Sequence, residues 1–133
     1  MRLDLPSSIQ LPDGASVLIA GMGGGFDVFC GLPIFFELQK RGYMVHLANL
    51  SFAPLQEYTD CDWLSTTLVG VGPASTELTG YHPERFLSQW FRECQGEERT
   101  IWCFDAAGAQ AMADDYRKLA QRLKLDAIVL VDV

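Results

Sequence analysis

The sequence has no long apolar segment, no signal-peptide pattern and no internal repeat, and is therefore typical of a single globular domain. Its longest apolar stretches, at residues 17–20 and 127–131, are far shorter than the roughly 20 residues needed to cross a bilayer. Its first residues do not combine a basic region with an apolar run, as a secretory signal peptide does. No repeat or low-complexity tract divides the 133 residues. We therefore predict one domain over residues 1–133 and no membrane partner.

Positive charge is scarce. Ten Lys and Arg residues stand against seventeen Asp and Glu residues, which gives a net charge of −7. Nucleic-acid affinity depends on cationic side chains that neutralise phosphates, so this balance argues against a nucleic-acid partner. The acidic composition is typical of a soluble cytoplasmic protein, and we expect that location.

Patterns for metal binding and nucleophilic catalysis are also missing. The four cysteines form no Cys-x-x-Cys pair, and the two histidines are isolated, so no metal site is predicted. We expect reduced thiols that are buried or half-buried. Cys30 falls on one helical face with Phe26 and Ile34, which favours packing over a nucleophilic role. His46, in the middle of a predicted strand, is expected to be half-buried and hydrogen-bonded.

Apolar runs alternate with segments of helical periodicity. Strands are predicted at 16–20, 43–50, 100–104 and 127–131, all buried, and helices at 26–41, 83–96 and 109–124. This order predicts an α/β fold, a doubly wound and mostly parallel Rossmann-like sheet with helices on both faces. A mixed sheet is the alternative, and residues 51–80 decide it, where only Leu68–Val71 has the pattern of a strand.

Three further expectations concern side chains in the helices. Pro33 either opens the main first helix or kinks a longer one. The helix that begins at Pro83 has an apolar stripe that is expected to be core, made of Phe86, Leu87, Trp90, Phe91 and Cys94. In the last helix, Asp114 and Asp115 are expected to point outward.

The most distinctive local feature is a glycine cluster between the first strand and the first helix. Gly21, Gly23, Gly24 and Gly25 would let backbone amides approach an anion at the helix N-terminus, and phosphate is the ligand expected there. No Lys-Ser or Lys-Thr follows, which excludes a Walker-type P-loop. Two other interpretations stay open: the glycines only shape a tight turn, or the carboxylate of Asp27 occupies the positive end of the helix itself.

Polar residues follow the other predicted strands. Because ligands of parallel sheets bind beyond the carboxyl ends of the strands, we predict that Asn49, Asp105 and Asp132 join the glycine loop in one ligand-binding site. Paired carboxylates at such a site would suit a divalent cation or acid–base chemistry. The competing interpretation is that these residues cap the turns that follow. The pattern identifies no cofactor.

These segments together resemble the family called domain of unknown function 1152. The resemblance is carried by five segments: residues 19–27, 31–33, 47–52, 81–84 and 125–132. It implies no reaction, because members of that family have none assigned. It also implies that the chain corresponds to the N-terminal portion of a longer architecture, since similar proteins usually continue into a second glycine-rich, acidic segment.

Two functions therefore stand as hypotheses. In the first, the protein binds an anionic small molecule, such as a nucleotide or a phosphorylated metabolite, at the glycine loop. In the second, it is a non-catalytic assembly domain that forms a homodimer through an exposed sheet edge.

Overall fold

The computed structural model describes residues 11–74, 79–106 and 108–133. The strands are β1 Ser16–Gly21, β2 Met44–Ser51, β3 Asp62–Ser65, β4 Leu68–Val71, β5 Ile101–Asp105 and β6 Ala127–Val131. The helices are α1 Asp27–Cys30, α2 Leu32–Lys40, α3 Pro83–Trp90 and α4 Ala109–Leu123. A 3₁₀ turn spans Leu55–Glu57, and a wider π-type turn continues α3 over Phe91–Gln95.

The strands form one sheet in the order β3-β4-β5-β2-β1-β6. The four strands predicted from apolar runs are β1, β2, β5 and β6, and their neighbouring pairs are parallel. The hairpin β3-β4 joins β5 in antiparallel orientation. The sheet is therefore mixed, as in the alternative that the sequence allowed for residues 51–80. The fold is α/β, with helices on both faces of the sheet.

Alternate residues of each strand point to opposite faces and build two cores. Under α1, α2 and α3, the core contains Ile19, Phe35, Leu47 and Phe91 among others. On the other face, α4 packs over Leu18, Ala20, Trp102 and Phe104. This two-sided burial explains why the central strands are continuous apolar runs rather than alternating ones.

Pro33 opens a helix rather than kinking one. It occupies the first turn of α2, where its missing amide hydrogen costs nothing, and α1 is a separate turn that ends at Gly31. A Cβ on Gly31 would lie 2.6 Å from a methyl group of Ile19, so glycine allows the junction to lie close against β1.

Several side-chain predictions for the helices are wrong. In the α3 stripe, Leu87 and Phe91 are buried, but Phe86, Trp90 and Cys94 are exposed, because one helix face is wider than its contact with the sheet. Asp115 points inward: it is buried and accepts hydrogen bonds from Ser65 Oγ, at 2.7 Å, and from Thr67 Oγ1. Helix periodicity alone does not show that α4 meets the β3-β4 turn.

Three other expectations, for Cys30, His46 and the last strand, are wrong in whole or in part. Cys30 is exposed, not packed, because α1 buries Val28, and Cys30 lies two positions later on the opposite side of the helix. His46 is half-buried as predicted, but its Nε2 is buried without a hydrogen-bond partner in the described residues. β6 is an edge strand, so Ile128 and Leu130 are exposed rather than buried.

None of the helices in the described ranges has the length and hydropathy required to span a bilayer.

Candidate functional site

The parallel strands bring their carboxyl ends to one edge of the sheet, which we call the carboxyl edge. At this edge β1 and β6 are neighbours, yet the chain leaves β1 towards α1 on one face and reaches β6 from α4 on the other. Ligands of open α/β sheets bind beyond the carboxyl ends of the strands, where the strand order reverses. The glycine loop lies at this point.

The shape of the loop depends on its glycines. Gly24 and Gly25 have φ values of +86° and +64°, in the left-handed region that side chains other than glycine rarely adopt. A Cβ on Gly21 would overlap Asn49 Oδ1 and lie 2.6 Å from the backbone nitrogen of Val28. The loop therefore fits closely between β2 and α1, as the turn-shaping interpretation requires.

Part of the loop backbone is already occupied by the protein. The amide of Met22 donates to the carbonyl of Val131 at 2.8 Å, and the amide of Gly23 donates to Asp27 Oδ2 at 2.7 Å. The ring of Phe52 lies directly against Gly24, which is buried. Asp27 thus takes one of the amides that an anion would need, as one open interpretation of the sequence anticipated.

A second carboxylate meets Asp27 at Gly23. A Cβ on Gly23 would overlap Asp27 Oδ2 and lie 2.6 Å from Asp132 Oδ1, so the two carboxylates face the same point. Asp132 follows β6 and is exposed, whereas Asp27 is half-exposed in the first turn of α1. We call Gly23, Asp27 and Asp132 the acidic crevice.

Behind Gly25 lies a pair of buried polar side chains, Asn49 and Glu84, which we call the buried pair. Asn49 Nδ2 donates to the carbonyl of Gly25 at 2.7 Å and to Glu84 Oε1 at 3.2 Å. Asn49 Oδ1 and Glu84 Oε2 are both buried with no partner in the described residues. The buried pair therefore leaves two acceptor atoms unused.

Burial decides the ionisation of Glu84, whose residue is only 1% exposed. Loss of solvent raises the pKa of its carboxyl group above the ordinary value. Ser51, the backbone amide of Glu84, Asn49 and the charge of His82 lower this pKa but do not cancel the rise. Glu84 thus carries a proton to higher pH than a surface glutamate does.

Exposed aromatic rings surround the loop. Phe26, Phe52 and Tyr81 are all exposed, and Phe26 packs edge-on to Tyr81 with ring centroids 5.8 Å apart. The Tyr81 hydroxyl lies 3.3 Å from the position of a Gly25 Cβ. The carboxyl edge thus combines carboxylates with aromatic faces.

Cations are placed away from this edge. Lys40, Lys118 and Lys124 lie in or just after the second half of α2 and α4, and both helices run towards the opposite edge. Arg85, in the first turn of α3, is already committed to Asp60 at 2.6 Å and lies over the Tyr58 ring. His82, just before α3, is hydrogen-bonded to Tyr58 and to the carbonyl of Thr79, and its charge lowers the pKa of Glu84. In the described ranges neither Asp27 nor Asp132 has an ion-pair partner.

The predicted site residues are brought together in part. The loop glycines meet Asn49 through Gly25 and meet Asp132 through Gly23. Asp105 ends β5 beside Ser51 in the register, two strands away from β1, and no contact in the described residues joins its carboxylate to the loop.

Sequence reasoning missed Glu84, Phe52 and Tyr81. The pattern Pro83-Glu84 does indicate a helix start, and α3 begins there. It does not show that this start lies at the carboxyl edge beside Asn49, which depends on the tertiary path of the chain. Among the described residues, no three His, Cys, Asp or Glu side chains are arranged as metal ligands.

Comparison with protein-family models, with curated proteins and with solved structures finds no match to this chain. The resemblance to the family called domain of unknown function 1152 therefore stays a prediction.

Proposed function

We propose that this protein is a Rossmann-like small-molecule-binding domain whose ligand enters the crevice between β1 and β6 and donates hydrogen bonds to it. The observation that carries the proposal is the meeting of Asp27 and Asp132 at Gly23, at the point of the sheet where strand order reverses. Carboxylates accept hydrogen bonds and donate none when ionised.

The charge around the crevice favours a neutral or cationic ligand over the nucleotide or phosphorylated metabolite that the glycine pattern predicts. An anion would face two carboxylates, and the guanidinium of Arg85 is already paired with Asp60. It would still find the amides of Gly24 and Gly25, for which the described protein supplies no acceptor. Phosphates therefore belong in the binding test as the competing class.

The test is a thermal-shift and titration screen with amines, nucleosides and phosphorylated metabolites, using the variants Asp132→Asn and Gly23→Ala. Both variants should reduce binding of the best ligand at least tenfold, because one removes a carboxylate and the other fills the crevice with a methyl group. Asp13→Asn, at the opposite edge, and Gly72→Ala, whose Cβ would meet nothing within 4 Å, are the matched controls and should bind as the wild type does.

Absence of any stabilising ligand across the three classes, or binding that neither crevice variant alters, would contradict the proposal.

Self-association is a second candidate function, favoured by β6. Among the described strands, β6 has one edge without a neighbour, and its exposed Ile128 and Leu130 flank an apolar hollow that Met22 and Tyr116 complete. An exposed apolar edge strand can pair with the same strand of a second copy.

A further inference from the structure

We propose that the ligand is an organic amine whose ammonium group is held by Glu84 beneath Gly25, an assignment that rests on the proposed function and specifies its ligand class. The ammonium would form an ion pair with the Glu84 carboxylate, whose other oxygen is held in place by Asn49 Nδ2 at 3.2 Å. The remainder of the ligand would extend over the glycine loop towards the acidic crevice.

The first argument is the pattern of unused acceptors. Glu84 Oε2 and Asn49 Oδ1 are buried without donors, although buried polar atoms are nearly always paired in native proteins. The amide group of Asn49 cannot be turned to relieve this, because its Nδ2 is held by the carbonyl of Gly25 at 2.7 Å. The missing chemical group is therefore a donor, and an ammonium has three donors and no acceptor.

The second argument is the local charge. Three carboxylates, those of Glu84, Asp27 and Asp132, lie around one short loop. The nearby Arg85 is held by Asp60 and by the carbonyl of Gly72, so it does not neutralise them. His82 lowers the pKa of Glu84 through its charge, and a cationic ligand would balance the remaining negative charge.

The third argument is the aromatic rim. Phe26 and Tyr81 meet edge to face, and the ring of Phe52 covers Gly24. Aromatic faces attract ammonium groups through their quadrupole, and the three rings are exposed to solvent. The rim thus favours the same ligand charge as the carboxylates do.

Access to the buried pair requires one side chain to move. Glu84 is almost completely buried, and the exposed Tyr81 places its hydroxyl 3.3 Å from the Cβ position of Gly25. We place the entry path of the ligand beside Tyr81, whose ring would rotate away from Gly25 to admit it. This is a change of side-chain rotamer, which exposed residues undergo rapidly.

The test is calorimetric titration of the full chain with primary amines, including tyramine and putrescine. Each amine is paired with its alcohol isostere, and inorganic phosphate and adenosine monophosphate are titrated in parallel. We expect at least one amine to bind and its alcohol to bind at least tenfold more weakly, because the alcohol lacks the positive charge.

Glu84→Gln is the decisive variant, since it keeps the shape of the side chain and removes the carboxylate. It should lower the affinity for the amine at least tenfold without lowering the melting temperature. Glu57→Gln removes the same charge from an exposed turn and should leave the affinity unchanged. Asn49→Ala provides a second variant, with its folding checked by circular dichroism.

The outcomes separate the two proposals. If phosphate compounds bind and the amines do not, the ligand class proposed here is wrong while a small-molecule site at the loop stands. If an amine binds equally to the wild type and to Glu84→Gln, the buried pair does not hold it. If no compound binds, both proposals fail.

Discussion

Glu84 is only 1% exposed, and one oxygen of its carboxyl group has no hydrogen-bond partner in the described residues. Buried charge is costly, and the carboxyl group responds by holding its proton more tightly. The helix start at Pro83 and the hydrogen bond from Asn49 keep the group in place. Glu84 therefore lowers the stability of the free protein at neutral pH.

The sign of this effect gives a prediction for pH. The pKa of Glu84 is higher in the folded than in the unfolded chain. Below the unfolded value near 4.5 Glu84 therefore has no effect of this kind on stability, and as pH rises from that value through the folded pKa the free energy of unfolding decreases. Glu84→Gln should remove this loss, and its free energy of unfolding at pH 7.5 should equal or exceed that of the wild type. The measurement is urea denaturation of both proteins at pH 5 and pH 7.5. A variant that is less stable by the same amount at both values would contradict it.

Among the secondary-structure elements, five of the six strands were predictable from local pattern, including β4 at Leu68–Val71, whereas β3 and the pairing of the hairpin were not. β1, β5 and β6 follow from continuous apolar runs of four or five residues, and β2 from an apolar run interrupted by His46 and Asn49, of the kind typical of parallel strands. β3 and β4 have four residues each, and the burial of β4 depends on its antiparallel pairing with β5. That pairing joins distant parts of the chain, and local periodicity does not contain it.

The same limit applies to the candidate site. The glycine loop and Asp132 were predictable because each directly follows a strand that is itself predictable. The contact between Asn49 and Glu84 joins β2 to α3 across 35 positions of sequence, and it depends on the direction in which α3 lies on the sheet. An isolated sequence contains no pattern for that direction.

One helix-to-hairpin contact leads to a stability prediction. Asp115 of α4 accepts hydrogen bonds from Ser65 and Thr67 at the β3-β4 turn. Asp115→Ala should lower the free energy of unfolding by about 2–3 kcal/mol, since two hydroxyl donors lose a charged acceptor in a buried position. Asp114→Ala, at the adjacent exposed position, is the control and should change stability by less than about 0.5 kcal/mol. Chemical denaturation distinguishes the two, and equal effects would exclude this role for Asp115.

For the molecule as a whole, the sheet has unequal edges. The hairpin forms the edge at β3, where Arg122 of α4 pairs with Asp62 at 2.9 Å. At the other edge, β6 has the exposed side chains Ile128 and Leu130. An apolar strip beside an unpaired strand is a recognised route to association, so any homodimer of this chain should form through β6.

This expectation is tested by sedimentation over a range of protein concentrations. If the wild type forms dimers through β6, Leu130→Lys should shift the equilibrium to monomer, because it places a charge on the paired strand. Met44→Lys is the matched control: Met44 is 62% exposed and Leu130 is 61% exposed, but Met44 lies in the interior strand β2. A monomer at every concentration, or dimers that persist in Leu130→Lys, would exclude this mode of association.

The negative charge at the carboxyl edge also affects the rate at which a ligand arrives. Asp27 and Asp132 lie together at the loop, whereas the lysines lie towards the far ends of α2 and α4, so the local electrostatic field at the loop is negative. Such a field accelerates the encounter with positively charged solutes, and dissolved ions screen it beyond about 8–10 Å. The association rate constant of a cationic ligand should therefore fall steeply with ionic strength, while its dissociation rate constant changes little.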